Sequence, residues 1–205
     1  MQKVNYQKML EGIIKKHEEK GEVPALLLHS CCAPCSSYVL EYLSQYFKIT
    51  VFYYNPNIYP REEYDKRVAE LQRLIAQMPM KNPVTFVERG YDEGEFFQAV
   101  KGFEDIREGG ERCFRCYRLR LERTAQLARE LGADYFTTTL SISPYKNAQK
   151  LNEISEELGE IYDVKALPAD FKKREGYKRS VQLSAEYGLY RQDYCGCCLL
   201  YTSPS

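Results

Sequence analysis

The sequence lacks the features that would place a chain in a broad class at first sight. Among its 205 residues, 29 basic and 29 acidic side chains cancel, so overall charge does not mark a nucleic-acid-binding protein. No apolar run approaches the roughly 20 residues that cross a bilayer, and the polar N-terminal segment does not resemble a secretory signal. We therefore expect a cytoplasmic protein with no membrane partner and one domain over residues 1–198. Residues 199–205 show no packing pattern and form an uncertain tail, for which a non-native origin is one interpretation.

Short apolar runs alternate with amphipathic segments along most of this domain. Apolar, β-branched and aromatic runs predict strands at 24–29, 49–54, 84–87, 135–139 and 161–166. Helical spacing predicts helices at 5–19, 36–47, 61–80, 92–103, 111–131, 148–158 and 175–187. This alternation is typical of an α/β fold with a parallel sheet and helices on both faces. Loops after parallel strands share one edge, so residues 31–32, 55–57 and 143–146 should converge there.

The cysteines are the most informative residues of the chain. All eight fall into three tight groups, which are Cys31, Cys32 and Cys35, then Cys113 and Cys116, then Cys195, Cys197 and Cys198. Close spacing within groups and wide gaps between them indicate that the fold gathers metal or redox ligands. The first group lies between a predicted strand and a predicted helix, where the helix N-terminus lowers thiol pKa values.

The first two groups together predict a metal centre. Residues three apart on a helix share a face, so Cys113 and Cys116 point the same way, beside the predicted core stripe. With Cys31 and Cys32 they offer four thiolates for a tetrahedral metal or an iron–sulfur cluster. Structural zinc is one alternative. A thioredoxin-like redox pair formed by Cys32 and Cys35 is another, although the predicted sheet is larger and more parallel than that fold allows.

The third cysteine group differs from the first two because it contains a pair of cysteines two residues apart. A disulfide between Cys195 and Cys197 would close a very small ring, which is strained and easily reduced. Such a pair suits dithiol–disulfide cycling or metal ligation, and Gly196 gives the backbone the freedom that the ring demands. We assign no role to Cys198. His29, at the end of the first predicted strand, is interpreted as a core histidine rather than a ligand.

Several motifs carry a resemblance to a known family. They are Cys31-Cys32-Ala33-Pro34-Cys35, Asn55-Pro56-Asn57-Ile58, Cys113-x-x-Cys116, Ser143-Pro144-Tyr145-Lys146-Asn147 and Tyr190-Arg191-Gln192-Asp193-Tyr194-Cys195-Gly196-Cys197. Jointly they resemble the cobalamin-independent epoxyqueuosine reductases over about residues 25–197. The sequence departs from that family at its end, where Cys198 and the tail replace a short serine-containing segment.

The resemblance implies an oxidoreductase of tRNA queuosine biosynthesis, which reduces epoxyqueuosine at the wobble position to queuosine. It implies a sheet like that of the adenine-nucleotide α-hydrolase (HUP) superfamily. The implied partners are the tRNA anticodon stem-loop and an unidentified electron donor. The implied cofactor is a [4Fe-4S] cluster, with no cobalamin, and the family's cluster ligands carry over onto Cys31, Cys32, Cys113 and Cys116.

The family's redox-active cysteine pair carries over onto Cys195 and Cys197, which are the implied catalytic residues. Together with Asp193 they are also candidate ligands for an additional iron near the cluster. Removal of an epoxide oxygen takes two electrons and a proton donor or Lewis acid, which is chemistry that a cluster, a dithiol and an iron supply.

Binding of tRNA requires cations and aromatic surfaces around such a site. Arg115, Arg118, Lys172 and Lys173 are candidates for a positive rim that contacts phosphates. A flipped wobble base could stack on Tyr59 or Tyr145. A solvated helix face remains the alternative interpretation of the arginine-rich segment.

Two other functions compete with the reductase. A sulfur transferase of the same sheet family would adenylate tRNA, but it needs a Ser-Gly-Gly phosphate loop after the first strand. That position reads Ser30-Cys31-Cys32-Ala33, so the phosphate loop is missing. A zinc-stabilised RNA-binding module would use the cysteines only for structure.

Overall fold

The structure is a computed structural model that describes residues 4–192 and 196–197. Its α-helices are α1 (Tyr6–Lys20), α2 (Ala33–Leu43), α3 (Arg61–Gln77), α4 (Glu93–Ala99), α5 (Glu111–Leu131), α6 (Ala148–Tyr162) and α7 (Gly176–Glu186). Its strands are β1 (Ala25–Ser30), β2 (Lys48–Tyr53), β3 (Val84–Glu88), β4 (Tyr135–Thr138) and β5 (Lys165–Ala166). A short 3₁₀ helix, Thr139–Ile142, follows β4 directly.

The strands form one sheet in which every pairing is parallel. Their order is β3-β2-β1-β4-β5, and all five strands belong to the described part of the chain. The predicted α/β architecture is therefore confirmed. The chain moves outward from β1 through β2 to β3, then returns to the other side of β1 at β4. The ends of β1 and β4 thus form the switch point at which open α/β sheets bind ligands.

Each face of the sheet carries its own apolar core. Side chains alternate along a strand, so Leu26 and Leu28 point to one face and Leu27 to the other. Leu26 and Leu28 belong to a core with residues of α2 and α3, such as Val39 and Leu71. Leu27 belongs to a second core with residues of α5 and α6. The helices therefore cover both faces, and the polar loops are left at the edges.

Several boundaries differ from the sequence-based prediction, among them the end of α4 at Ala99 rather than at residue 103. The fifth strand was expected at 161–166, but α6 continues to Tyr162 and the strand comprises only two residues, Lys165–Ala166. The helical spacing of Ile154 and Leu158, both buried, extends through this segment, and Asp163 ends the helix in a left-handed conformation. The loop expected at 140–147 begins instead with the 3₁₀ helix. Among the described residues, no helix is long and apolar enough to cross a membrane.

Candidate metal centre and substrate cavity

A cavity opens at the carboxyl-terminal edge of the sheet, beside the ends of β1 and β4. Its free space, the open mouth included, is about 1130 Å³. The loops after three strands contribute to its wall, with lining residues Cys31, Cys32, Asn57, Ile58, Ser143, Pro144, Tyr145 and Lys146. The three loops therefore converge as the sequence predicts.

Three thiols meet at the start of α2. The Sγ atoms of Cys31, Cys32 and Cys35 all lie within 4.8 Å of one another. Cys32 is the N-cap of α2, and Pro34 lies in its first turn, where the missing N–H leaves no unmet hydrogen bond. The helix begins at Ala33 rather than at residue 36, so Cys35 turns toward the same point. This third thiol has no ligand role in the sequence-based assignment.

Thiols this close do not all ionise together. Hydrogen bonds from Cys32 and Cys35 hold the pKa of Cys31 well below its usual value, and the Arg120 guanidinium contributes to the shift. The hydrogen bond to Cys31 raises the pKa of Cys32 to about 12 and also raises the pKa of Cys35. The trio thus favours a single thiolate. Metal ligation requires thiolates, so it would release the remaining protons.

A second pair of thiols faces the cavity from the first turns of α5. Cys113 and Cys116 both line the cavity, and they are 8% and 7% exposed. The Gly109 N–H donates a hydrogen bond to Cys113 Sγ at 3.3 Å. All four cysteines that the sequence assigns to a cluster therefore line one cavity, together with Cys35.

His29 links the end of β1 to the neighbouring strands through two hydrogen bonds. Its Nε2 donates to the Tyr54 carbonyl at 3.1 Å, and its Nδ1 accepts from Thr138 Oγ1 at 2.9 Å. The side chain is fully buried, and this burial lowers its pKa to about 4, so the ring stays neutral. Both ring nitrogens are used in holding β1 against its neighbours, which confirms the interpretation of a core histidine.

A buried polar network links β1 to α5. Asn55 Nδ2 donates to the Ser30 carbonyl at 2.8 Å, and Asn55 Oδ1 accepts from Arg120 Nη1 at 3.4 Å. Arg120 Nε donates to the Cys116 carbonyl at 3.3 Å. The Arg120 side chain therefore ties the helix that carries Cys116 to the loop after β2. Its buried charge also contributes to the lowered pKa of Cys31.

Gly196 and Cys197 close one side of the cavity. Tyr59 N–H donates to the Gly196 carbonyl at 3.0 Å, and Cys197 forms an antiparallel bridge with Ile58. Cys197 is buried and lines the cavity. Of the residues assigned to catalysis or to an additional iron, the structure thus places Cys197. Asp193 and Cys195 lie outside the described residues, as do Cys198 and the tail.

The cations proposed for a tRNA-binding rim are not among the residues that line this cavity. Arg118 pairs with Glu157 at 2.8 Å, and Arg115 stacks on the Phe103 ring at 3.8 Å. Lys172 Nζ donates to the Ser141 carbonyl at 2.7 Å, whereas its neighbour in sequence, Lys173, is exposed. The cations that line the cavity in the described part of the chain are Arg67, Arg112, Arg120, Lys146 and Arg191.

Two exposed aromatic side chains border the cavity. Tyr145 and Tyr177 line it with 59% and 39% of their surface exposed. Tyr59, the other stacking candidate, is 45% exposed but is not among the lining residues. Tyr145 is therefore the better placed of the two candidates, and Tyr177 is an addition that the sequence did not suggest.

Comparison with known proteins identifies the family. The family model described as epoxyqueuosine reductase QueH matches residues 26–202. The chain belongs to the QueH family. The epoxyqueuosine reductase QueH of Streptococcus pyogenes is 46% identical over 198 residues, which are 96% of this chain and 78% of that protein. The Thermotoga maritima epoxyqueuosine reductase QueH is 39% identical over 84% of this chain and 88% of its own length.

Sequence reasoning did not distinguish the buried cations of this QueH family member from the other cations of the same helices. Arg112 and Arg120 each lie four residues from Cys116, on opposite sides of it along the chain, so they share its helix face. That spacing separates them from Arg115 and Arg118, but not from Arg123, which lies seven residues after Cys116 and so shares the same face. No comparable signal exists for Arg67, because its burial depends on the chain segment around residue 196.

Proposed function

We propose that this chain is an epoxyqueuosine reductase, which converts epoxyqueuosine at the tRNA wobble position to queuosine. One observation carries the proposal. In a member of the QueH family, six cysteines line a single cavity at the ligand-binding edge of the sheet, namely Cys31, Cys32, Cys35, Cys113, Cys116 and Cys197. A cavity bordered by exposed aromatic residues suits an extruded nucleoside.

We propose that Cys31, Cys32, Cys113 and Cys116 hold a [4Fe-4S] cluster, without cobalamin. Support comes from the donor set, because four thiolates are the usual ligands of such clusters and these four thiols line one cavity. The low pKa of Cys31 and the nearby Arg120 guanidinium suit an anionic group. A bound cluster supplies electrons one at a time, delivered by an electron donor that is still to be identified.

Cys195 and Cys197 are proposed as the redox-active pair. Reduction of an epoxide to an alkene breaks two C–O bonds, forms one C=C bond and releases the oxygen as water. It consumes two electrons and two protons, which is what oxidation of a dithiol to a disulfide provides. Cys197 lines the cavity, which supports a position close to the substrate. With Asp193, the pair is also our candidate ligand set for an additional iron.

A tRNA sulfur transferase of the same sheet family is the first competing function. Such an enzyme needs a glycine-rich loop whose N–H groups bind phosphate. Here the chain leaves β1 through Cys31 and Cys32, and both side chains line the cavity where that loop would lie. We therefore expect no ATP binding. Saturable ATP binding by the purified protein would favour the transferase.

A zinc-stabilised RNA-binding module is the second competing function, and metal content separates it from the reductase. After anaerobic purification, we expect brown protein with near-stoichiometric iron and sulfide, and an EPR signal after reduction. Colourless protein that holds zinc, and that stays colourless after reconstitution with iron and sulfide, would overturn the cluster assignment. The module also predicts unchanged folding when Cys195 and Cys197 are replaced by serine.

Turnover of epoxyqueuosine-containing tRNA then tests the activity itself. We expect the iron-loaded protein with a chemical reductant to form queuosine, detected by mass spectrometry of the digested tRNA. Cys197→Ser should abolish turnover and retain the iron content of the cluster. Wild-type protein that carries a cluster but leaves epoxyqueuosine unchanged would overturn the proposed function.

A further inference from the structure

The cavity wall carries buried polar atoms that have no protein partner. Within residues 4–192 and 196–197, Asn57 Oδ1, Arg112 Nη2, Tyr117 Oη and Gln192 Nε2 make no hydrogen bond, and all four residues line the cavity. The first three side chains are 5%, 3% and 1% exposed. Buried polar atoms in native proteins nearly always have partners. Their position around one cavity indicates that a bound molecule supplies these partners.

Among these groups, Arg112 has the highest free-energy cost of burial, because it carries a charge. Its Nη1 donates to the Glu104 carbonyl at 3.0 Å, and no carboxylate among the described residues pairs with its charge. A buried guanidinium without an acidic partner is costly, so such a residue is expected where it serves a ligand. By contrast, the other cations of α5 that face solvent have acidic partners, as Arg118 has in Glu157.

The unpartnered atoms include both hydrogen-bond donors and hydrogen-bond acceptors. This combination limits which chemical class of ligand can satisfy all of them. Arg112 and Gln192 offer donors, Asn57 Oδ1 offers an acceptor, and the Tyr117 hydroxyl offers both. A phosphate presents only acceptors, so it would leave Asn57 Oδ1 without a partner. The hydrogen-bonding edge of a guanine-type base presents the O6 acceptor at one end, followed by N–H donors at N1 and N2, so it satisfies both kinds of group.

We infer that Asn57, Arg112 and Tyr117 form a subsite that reads the guanine-type edge of the target base. Arg112 donates to O6 and Asn57 accepts from the N–H groups, while Tyr145 and Tyr177 border the opening through which the base enters. This inference rests on the proposed function, because the epoxyqueuosine base retains the guanine-type edge. It makes these residues specificity determinants, distinct from the cysteines that carry the redox chemistry.

Binding of unreactive RNAs tests the subsite without turnover. The probes are anticodon stem-loops that differ only at the wobble base, which is guanine, hypoxanthine (no N2 amine) or 2-aminopurine (no O6 or N1–H). We expect the iron-loaded wild type to bind the guanine stem-loop about tenfold more tightly than the 2-aminopurine one, because hydrogen bonds to charged groups are the stronger kind. Arg112→Lys should remove most of that preference, and Asn57→Ala should remove the preference over hypoxanthine.

Two control variants test whether a loss of binding comes from damage to the fold rather than from the subsite. Tyr53 also has a buried hydroxyl without a partner among the described residues, but it does not line the cavity. Tyr117→Phe should weaken binding of the guanine stem-loop by about threefold to tenfold, whereas Tyr53→Phe should not. Arg129→Lys, at the exposed end of α5, controls for the loss of an arginine on the same helix.

Each outcome has a defined meaning. The subsite is wrong if Arg112→Lys and Asn57→Ala keep the base preferences of the wild type, or if the wild type has none. Wild-type protein that reduces epoxyqueuosine but does not discriminate these bases would overturn the subsite alone. Discrimination of the bases without reduction of epoxyqueuosine would overturn the proposed function alone.

Discussion

The guanidinium of Arg67 packs against the backbone of Gly196. A Cβ atom placed on this glycine would lie 2.4 Å from Arg67 Nη2 and 3.0 Å from Arg67 Cζ. Arg67 is itself fixed on α3, where its Nε donates to Glu63 Oε1 at 2.7 Å. Because Gly196 directly precedes Cys197 in the chain, this contact with α3 helps to set the position of Cys197 at the cavity.

Replacement of Gly196 by alanine should disrupt this contact. Gly196 has a φ of +73°, which an L-residue adopts at a cost of roughly 1 kcal/mol, and the new methyl group would also collide with Arg67. We expect Gly196→Ala to lower reductase activity at least tenfold, because the segment that carries Cys197 must move. The measurement is turnover of epoxyqueuosine-containing tRNA, with cluster content determined in parallel.

Gly188 provides the control for that substitution. It also has a positive φ, of +57°, but a Cβ there would have no neighbour within 4 Å. Gly188→Ala therefore reports the backbone strain alone and should leave activity within about twofold of the wild type. Equal activities of the two variants would show that contact with Arg67 does not position the redox segment.

The Glu63–Arg67 ion pair should contribute strongly to stability. Both side chains are buried, with 7% and 5% of their surface exposed. Removal of one partner from a buried pair typically costs about 3–5 kcal/mol, because the remaining charge is left uncompensated. We expect Glu63→Gln to lower the free energy of unfolding in urea by about that amount.

An exposed pair on the same helix has the same spacing and serves as the control. Arg61 and Asp65 lie 2.8 Å apart, with 57% and 55% of their side-chain surface exposed. Exposed pairs of this type contribute about 0.3–0.5 kcal/mol to the free energy of unfolding. Asp65→Asn should therefore change that free energy very little. If both variants lose a similar free energy of unfolding, burial does not make the Glu63–Arg67 pair more stabilising than an exposed pair.

The alternation of strand and helix was sufficient to predict the sheet, both faces of the core and the edge where the loops converge. Local periodicity contains this information, because Leu26, Leu27 and Leu28 form one unbroken buried run, as a central parallel strand requires. The predicted cluster ligands likewise meet in one cavity, because residues after β1 and at the start of α5 face the same edge.

Contacts between residues distant in sequence could not be predicted in this way. Cys35 joins Cys31 and Cys32 only because α2 begins earlier than its apolar pattern suggests. Arg67 appears in the sequence as one more cation of an amphipathic helix. Its burial follows from the return of residues 196–197 to the loop after β2, which no local pattern encodes.

Cys35 provides a direct test of the cluster assignment. Its thiol lies close to those of Cys31 and Cys32, but its side chain also packs against the apolar core beside α2. If Cys113 and Cys116 complete the ligand set, Cys116→Ser should lose most of the bound iron and sulfide. Cys35→Ser should keep both, and the EPR spectrum of the reduced cluster should remain. The reverse result would place Cys35 in the cluster instead of Cys116.

Tyr145 should contribute to binding of the extruded base. It is 59% exposed and lines the cavity, and stacking of a base on an aromatic side chain is worth about 1–3 kcal/mol. We expect Tyr145→Ala to weaken binding of an anticodon stem-loop by about fivefold to a hundredfold. Tyr145→Phe should keep most of the wild-type affinity, because the ring provides the stacking surface.

Tyr59 is similarly exposed, at 45%, but does not line the cavity, so Tyr59→Ala is the control. If Tyr59→Ala weakens binding as much as Tyr145→Ala, the base does not enter beside Tyr145.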